Sequence, residues 1–188
     1  MTKLEQALAG VAGFLDAEGI PYMVIGGIAN LVWGTPRATV DIDVTVWVDN
    51  PGIDTLVNKL SARFRILIKN ASAFVRHTRV LPLETPEGIG IELIFGQLPY
   101  EREAIDRART QVFHGVPVRI CSPEDLIIHK IISERPRDRE DVKGIIQAMG
   151  NELDRQFLDR IIQGLAMDLE RPDILSFYNS CWASRQQP

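Results

Sequence analysis

The stretch 24–48, VIGGIANLVWGTPRATVDIDVTVWV, restricts the possible folds of this chain more than any other. An apolar run ends in Gly26-Gly27. Further on, Asp41 and Asp43 interrupt a run of Val and Ile at alternate positions. That alternation predicts a β-strand over 40–48. Val40, Ile42, Val44, Val46 and Val48 take one face; Asp41, Asp43, Thr45 and Trp47 take the other. Strand side chains alternate and rise about 3.3 Å per residue, which puts the two aspartates on one face with Cα atoms about 6–7 Å apart. Two carboxylates so close repel each other unless protons, donors or cations intervene. A hard cation such as Mg²⁺, which favours oxygen ligands and often bridges carboxylates and phosphates, is the simplest remedy. The bland alternative is a solvated strand face.

The remaining pattern predicts an α/β (α+β) fold, a small mixed sheet flanked by helices. Leu4, Leu8, Val11 and Leu15 recur at helical spacing, and Gly19 and Pro21 stop that helix. A strand is expected over 22–25, a helix from Gly26 to about Trp33, and a helix capped by Asn50-Pro51 that runs to about Arg63. Strands are expected over 64–68, 74–81, 89–95 and 116–120, with a helix over 100–109. Ser122-Pro123-Glu124-Asp125 reads as a capped helix start. Beyond it the pattern is helical, with a charged turn over 135–139 and breaks near Gly150-Asn151 and Arg171-Pro172. These patterns predict a domain over 1–121 and a helical segment over 122–188. Phe177, Tyr178 and Trp182 either pack internally or meet a partner.

Composition narrows the function. A net charge of −4 removes a global basic field for nucleic acid, so any such partner needs a local patch. No apolar run reaches the ~20 residues of a membrane span. The N-terminus lacks a signal-peptide pattern, and Cys121 and Cys181 lie far apart. The expectation is a cytoplasmic protein.

Glu92 sits inside the apolar run IGIELIF. If its strand neighbours that of Asp41 and Asp43, three carboxylates can share a face and hold one or two Mg²⁺ ions. Gly26 and Gly27 stand where a strand turns into a helix. Helix N-terminal N–H groups bind anions, and glycine lets a phosphate approach the backbone; the plain reading is a tight turn. Arg37 can stabilise phosphate oxygens, and Thr39 can bond a phosphate or a metal-bound water; both also suit a surface loop. Lys130 can reach a cleft as a point charge or snorkel to the surface. Asp138 and Asp141 can pair with it, cap their helix or assist at the site.

Three ordered blocks, GG…GTPRATVDID, IELIFG and SPEDLIIHKIISERPRDREDV, resemble the minimal nucleotidyltransferase superfamily with the DNA polymerase β-like fold. The similarity is greatest to the AbiEii-type toxin and related nucleotidyltransferase-like proteins, and it covers roughly residues 22–146. It implies that Asp41, Asp43 and Glu92 bind metal (Mg²⁺ or Mn²⁺). It further implies that Gly26 and Gly27 hold the nucleotide phosphates, that Lys130 contacts the nucleotide, and that Asp138 and Asp141 form the D-x-x-D block. Many relatives carry Gly-Ser at the turn; here Gly27 offers only its N–H. The implied activity is two-metal transfer of a nucleoside monophosphate from an NTP to a hydroxyl of tRNA or protein. A toxin opposed by an antitoxin partner is one form of it. The alternative is a catalytically inactive nucleotide- or partner-binding module on the same fold.

Overall fold

The structure, a computed structural model, describes residues 1–185. The chain divides into two units. The first joins Met1–Ile28 to Ala38–Cys121; the second joins Ala29–Arg37 to the chain from Ser122 onward.

The first unit is built on a mixed sheet of seven strands. They are β1 (Tyr22–Val24), β2 (Asp41–Val46), β3 (Arg65–Ile66), β4 (Val80–Glu84), β5 (Gly90–Phe95), β6 (Arg109–Phe113) and β7 (Val116–Ile120). Their order is β3-β4-β5-β2-β1-β7-β6. β2 runs parallel to β5 and antiparallel to β1. The sheet carries α1 (Lys3–Ala17), the start of α2 (Gly26–Trp33), α3 (Ile53–Ser61), α4 (Ala71–Thr78) and α5 (Pro99–Asp106). Thr2 caps α1 through a capping box with Glu5.

Alternation decides which face is dry. Ile42, Val44 and Val46 of β2 are fully buried, as are Leu81 and Leu83 of β4 and Ile91, Leu93 and Phe95 of β5. Leu8, Leu15, Tyr22 and Met23 extend this core, and Phe14 meets Phe64 edge to face. Asp41 and Glu92 are exposed and Asp43 is half-buried. The carboxylates thus escape the desolvation that a two-sided core would impose.

The second unit contains α6 (Pro123–Ile131), α7 (Pro136–Met149), α8 (Arg155–Asp168) and α9 (Pro172–Arg185). Ser122 caps α6 by accepting from the Asp125 N–H. Glu124 accepts from the Asp154 N–H and so ties α6 to the start of α8. Tyr178 and Trp182 are buried, edge to face, and the Tyr178 hydroxyl donates to Asp159 at 2.6 Å. These two aromatics pack internally.

The mixed α/β architecture is the one expected. Three local expectations are corrected. Residues 74–78 belong to α4 rather than to a strand, because Asn70 and Arg79 take left-handed φ values of 52° and 61° that set off a short helix between them. Arg79 ends it by donating its N–H to Val75 O. Its guanidinium is absorbed by Asn50 and the carbonyls of Phe95 and Gly96. Asp49, not Asn50, is the cap before α3. Its carboxylate accepts from the Gly52 N–H, so a single 3₁₀ turn precedes the helix. The polar strand β6 was not expected. It pairs with β7 through the two-residue turn His114-Gly115, both at positive φ, the backbone that a tight hairpin requires.

Ile42→Ala should lower stability by about 3 kcal/mol and Ile42→Val by about 1 kcal/mol, measured by urea unfolding.

Candidate functional site

The glycine turn and the acidic strand meet in the first unit. β1 ends at Val24, and the Ile25 N–H donates to the Asp43 carbonyl at 2.9 Å. The chain turns at once into α2. Gly26 has φ +64°, a value that costs any L-residue but not glycine. A Cβ placed on Gly26 would lie 1.8 Å from Asp43 Oδ2 and 2.8 Å from its Cγ. Glycine is therefore required twice here, by conformation and by the carboxylate lying against its α-carbon. Gly27 is bare for a different reason: its Cβ would lie 2.3 Å from Thr39 Oγ1. Thr39 in turn donates its hydroxyl to Asp41 Oδ1 at 3.1 Å.

Glu92 stands beside this group. In the parallel ladder Asp43 pairs with Glu92 and Asp41 with Gly90, so Glu92 shares the face of Asp43. Six of the sequence-predicted residues thus belong to one local arrangement: Gly26, Gly27, Thr39, Asp41, Asp43 and Glu92. Its donor chemistry suits a hard cation, since carboxylate oxygens are the ligands that Mg²⁺ and Mn²⁺ prefer. Among the described residues, no three His, Cys, Asp or Glu side chains are already gathered as a metal-ligand set. Mg²⁺ commonly takes one or two protein carboxylates and completes its shell with water and substrate phosphates, so a ready-made set of three is not a requirement for it.

Arg37, Lys130, Asp138 and Asp141 are gathered in the second unit. Arg37 donates both Nε and Nη2 to Asp141, at 2.7 and 2.6 Å. The buried Lys130 ammonium lies 2.7 Å from Asp138 and 2.8 Å from Asp141. Ser133, which the sequence reading did not single out, donates to the other oxygen of Asp138 at 2.7 Å. Two cations and two anions neutralise one another. Both aspartates pair with Lys130, one of the roles open to them. Burial alone would push both carboxyls up. For Asp141 the hydrogen bonds from Arg37 and Lys130 outweigh burial and hold it below the usual carboxylate range; for Asp138, Lys130 and Ser133 do the same.

Comparison with known proteins bears on this geometry. A family model described as "Nucleotidyl transferase of unknown function (DUF2204)" matches residues 4–170. No curated protein sequence matches. Among solved structures, the chain is similar to an antigenic nucleotidyltransferase-like protein from Paracoccidioides brasiliensis, at 22% identity over 94% of this chain and 92% of that one, with TM-score 0.56. It is similar to the antibiotic-resistance factor ANT(2'')-Ia at 17% identity, over 90% and 96% of the two chains, with TM-score 0.59. It is similar to the lincosamide antibiotic adenylyltransferase LnuA at 15% identity, over 77% and 96%, with TM-score 0.51. At these identities the likeness is one of fold.

The buried charges give a prediction about acid stability. The folded carboxyl values of Asp138 and Asp141 lie below the unfolded value of about 3.9. Their contribution is complete at neutral pH, and it is lost as pH falls through the folded values. Asp141→Asn, which removes the carboxylate that Arg37 and Lys130 share and leaves Lys130 to Asp138, should cost about 3 kcal/mol at pH 7. Urea unfolding from pH 7 downward should show the gap to wild type closing below about pH 4.

Proposed function

The chain belongs to this family of nucleotidyl transferases, and from that premise we propose that it transfers a nucleoside monophosphate from an NTP to a hydroxyl, using the face formed by Asp41, Asp43 and Glu92. One observation carries the reading: the in-register pairing of Asp43 with Glu92, beside a turn whose two glycines are pressed against Asp43 and Thr39. Asp41 and Asp43 would hold Mg²⁺ or Mn²⁺, which when bound neutralises the triphosphate and acidifies the acceptor hydroxyl. The chain's own groups do the rest. The N–H groups at the start of α2 receive phosphate oxygens, since a helix N-terminus carries partial positive charge. The acceptor oxygen forms a bond to the α-phosphorus as the bond from that phosphorus to pyrophosphate breaks. The hydroxyl proton passes to the Glu92 carboxylate. Most of the acceleration on this account is positioning and charge stabilisation.

Arg37, Lys130, Asp138 and Asp141 are assigned a different part. Their charges already meet one another, so their role is to hold the 34–37 segment rather than to read the nucleotide. The acceptor is proposed to be an RNA or protein hydroxyl, as in a toxin that inactivates its target. The solved structures named for antibiotic resistance and for lincosamide adenylylation add a small-molecule antibiotic as a comparison acceptor. Among the described residues, no helix is long and apolar enough to cross a membrane.

The four α-³²P-labelled NTPs, offered in turn with Mg²⁺ to cellular RNA, cellular protein and lincomycin, should between them label at least one of these pools. Chelation of the metal should abolish labelling, and Asp41→Asn with Asp43→Asn should reduce it at least about 10³-fold, the scale of a lost electrostatic stabiliser. Label transfer that survives the double substitution would refute the assignment.

A further inference from the structure

We propose that Thr39 is the positioning residue for Asp41, and that residue 27 is glycine to make room for it rather than to admit a phosphate. The inference rests on the nucleotidyl-transfer reading and assigns one of its polar groups a specific task. A Cβ at residue 27 would come within 2.3 Å of Thr39 Oγ1 and 2.7 Å of Thr39 Cβ. The space of a side chain at 27 is therefore filled by the Thr39 side chain. The hydroxyl has a single proton to give. Its acceptor is Asp41, with Oδ1 at 3.1 Å and the carbonyl oxygen at 3.4 Å. A proton committed to Asp41 is not available to a phosphate oxygen, so Thr39 acts through the carboxylate and not on the nucleotide.

The hydroxyl is the part of Thr39 that acts on Asp41, and the branched carbon assists it. The β-branched carbon restricts χ1. Gly27 offers a bare α-carbon against which that carbon can rest. The hydroxyl so placed meets a carboxylate two residues further along the chain, at the first residue of β2. Asp41 is exposed, and without this bond it is free to sample several rotamers. Groups that hold a metal-binding side chain in place are worth about 10–100-fold in metal affinity.

The test is Mn²⁺ binding by the whole chain, followed by calorimetry and by water-proton relaxation, with ATP binding in EDTA as a second arm. Thr39→Val keeps the shape and removes the proton. It should weaken Mn²⁺ binding about tenfold or more and leave ATP affinity in EDTA unchanged. Thr39→Ser, which keeps the hydroxyl, should stay within about threefold of wild type in Mn²⁺ affinity. Gly27→Ala should displace Thr39 and lose Mn²⁺ affinity as Thr39→Val does; should it not fold, the Val and Ser variants decide. If Thr39→Val binds Mn²⁺ like wild type, or if it loses ATP affinity in EDTA, Thr39 is not the positioning residue. A wild-type chain that binds neither Mn²⁺ nor ATP would overturn the proposed function and this inference together. A wild type that binds both, with no difference between the Val and Ser variants, would overturn this inference alone.

Discussion

Two bare α-carbons at the end of β1 set the terms for everything around them. Gly26 accepts the Asp43 carboxylate at a distance no Cβ would tolerate, and Gly27 accepts the Thr39 side chain in the same way. The Ile25 N–H, bonded to the Asp43 carbonyl, locks the turn to β2 through backbone as well. As a result the start of α2, with its partial positive charge, lies against the Asp43 carboxylate. That apposition is favourable without any ligand. It also places oxygen donors for a cation beside N–H donors for an anion, the two requirements of a metal–triphosphate group.

Sheet topology extends this local arrangement. β2 lies at the centre of the sheet, between its antiparallel partner β1 and its parallel partner β5. Parallel pairing in register keeps side chains of paired residues on one face, which brings Glu92 alongside Asp43. The opposite face of both strands is buried aliphatic core. A one-residue slip of either strand would turn its acids into that core and its aliphatic residues into water, so the hydrophobic pattern that stabilises the sheet also enforces the acid register. Stability and site geometry are set by the same alternation.

That is why this part of the molecule could be read from the sequence. Asp41, Asp43 and Glu92 each interrupt a period-2 apolar run, and a run buried on one face leaves little choice about which way its polar residues point. The start of α2 at Gly26 and the cap at Ser122 were legible because both depend on local backbone chemistry. What could not be read depends on contacts distant in sequence. Arg37 and Asp141 are 104 residues apart, and no spacing announces their bidentate pair. Nor does sequence show that the Lys130 ammonium faces two carboxylates at once. The α4 helix was missed because left-handed Asn70 and Arg79, neither of them glycine, define its ends. For β6 a signal was present in His114-Gly115, a two-residue turn of the kind that joins hairpin strands. The fit of Thr39 over Gly27 depends on a backbone approach that only coordinates reveal.

The central claim is that metal and triphosphate meet at the glycine turn and the acidic face of β2 and β5. The most direct measurement is a titration of the ¹⁵N-labelled chain with Mn²⁺ and a non-hydrolysable NTP, read as paramagnetic broadening of backbone amides. The account expects broadening centred on Gly26, Gly27, Asp41, Asp43 and Glu92. Broadening centred on residues 123–168, with those five amides unaffected, would contradict it.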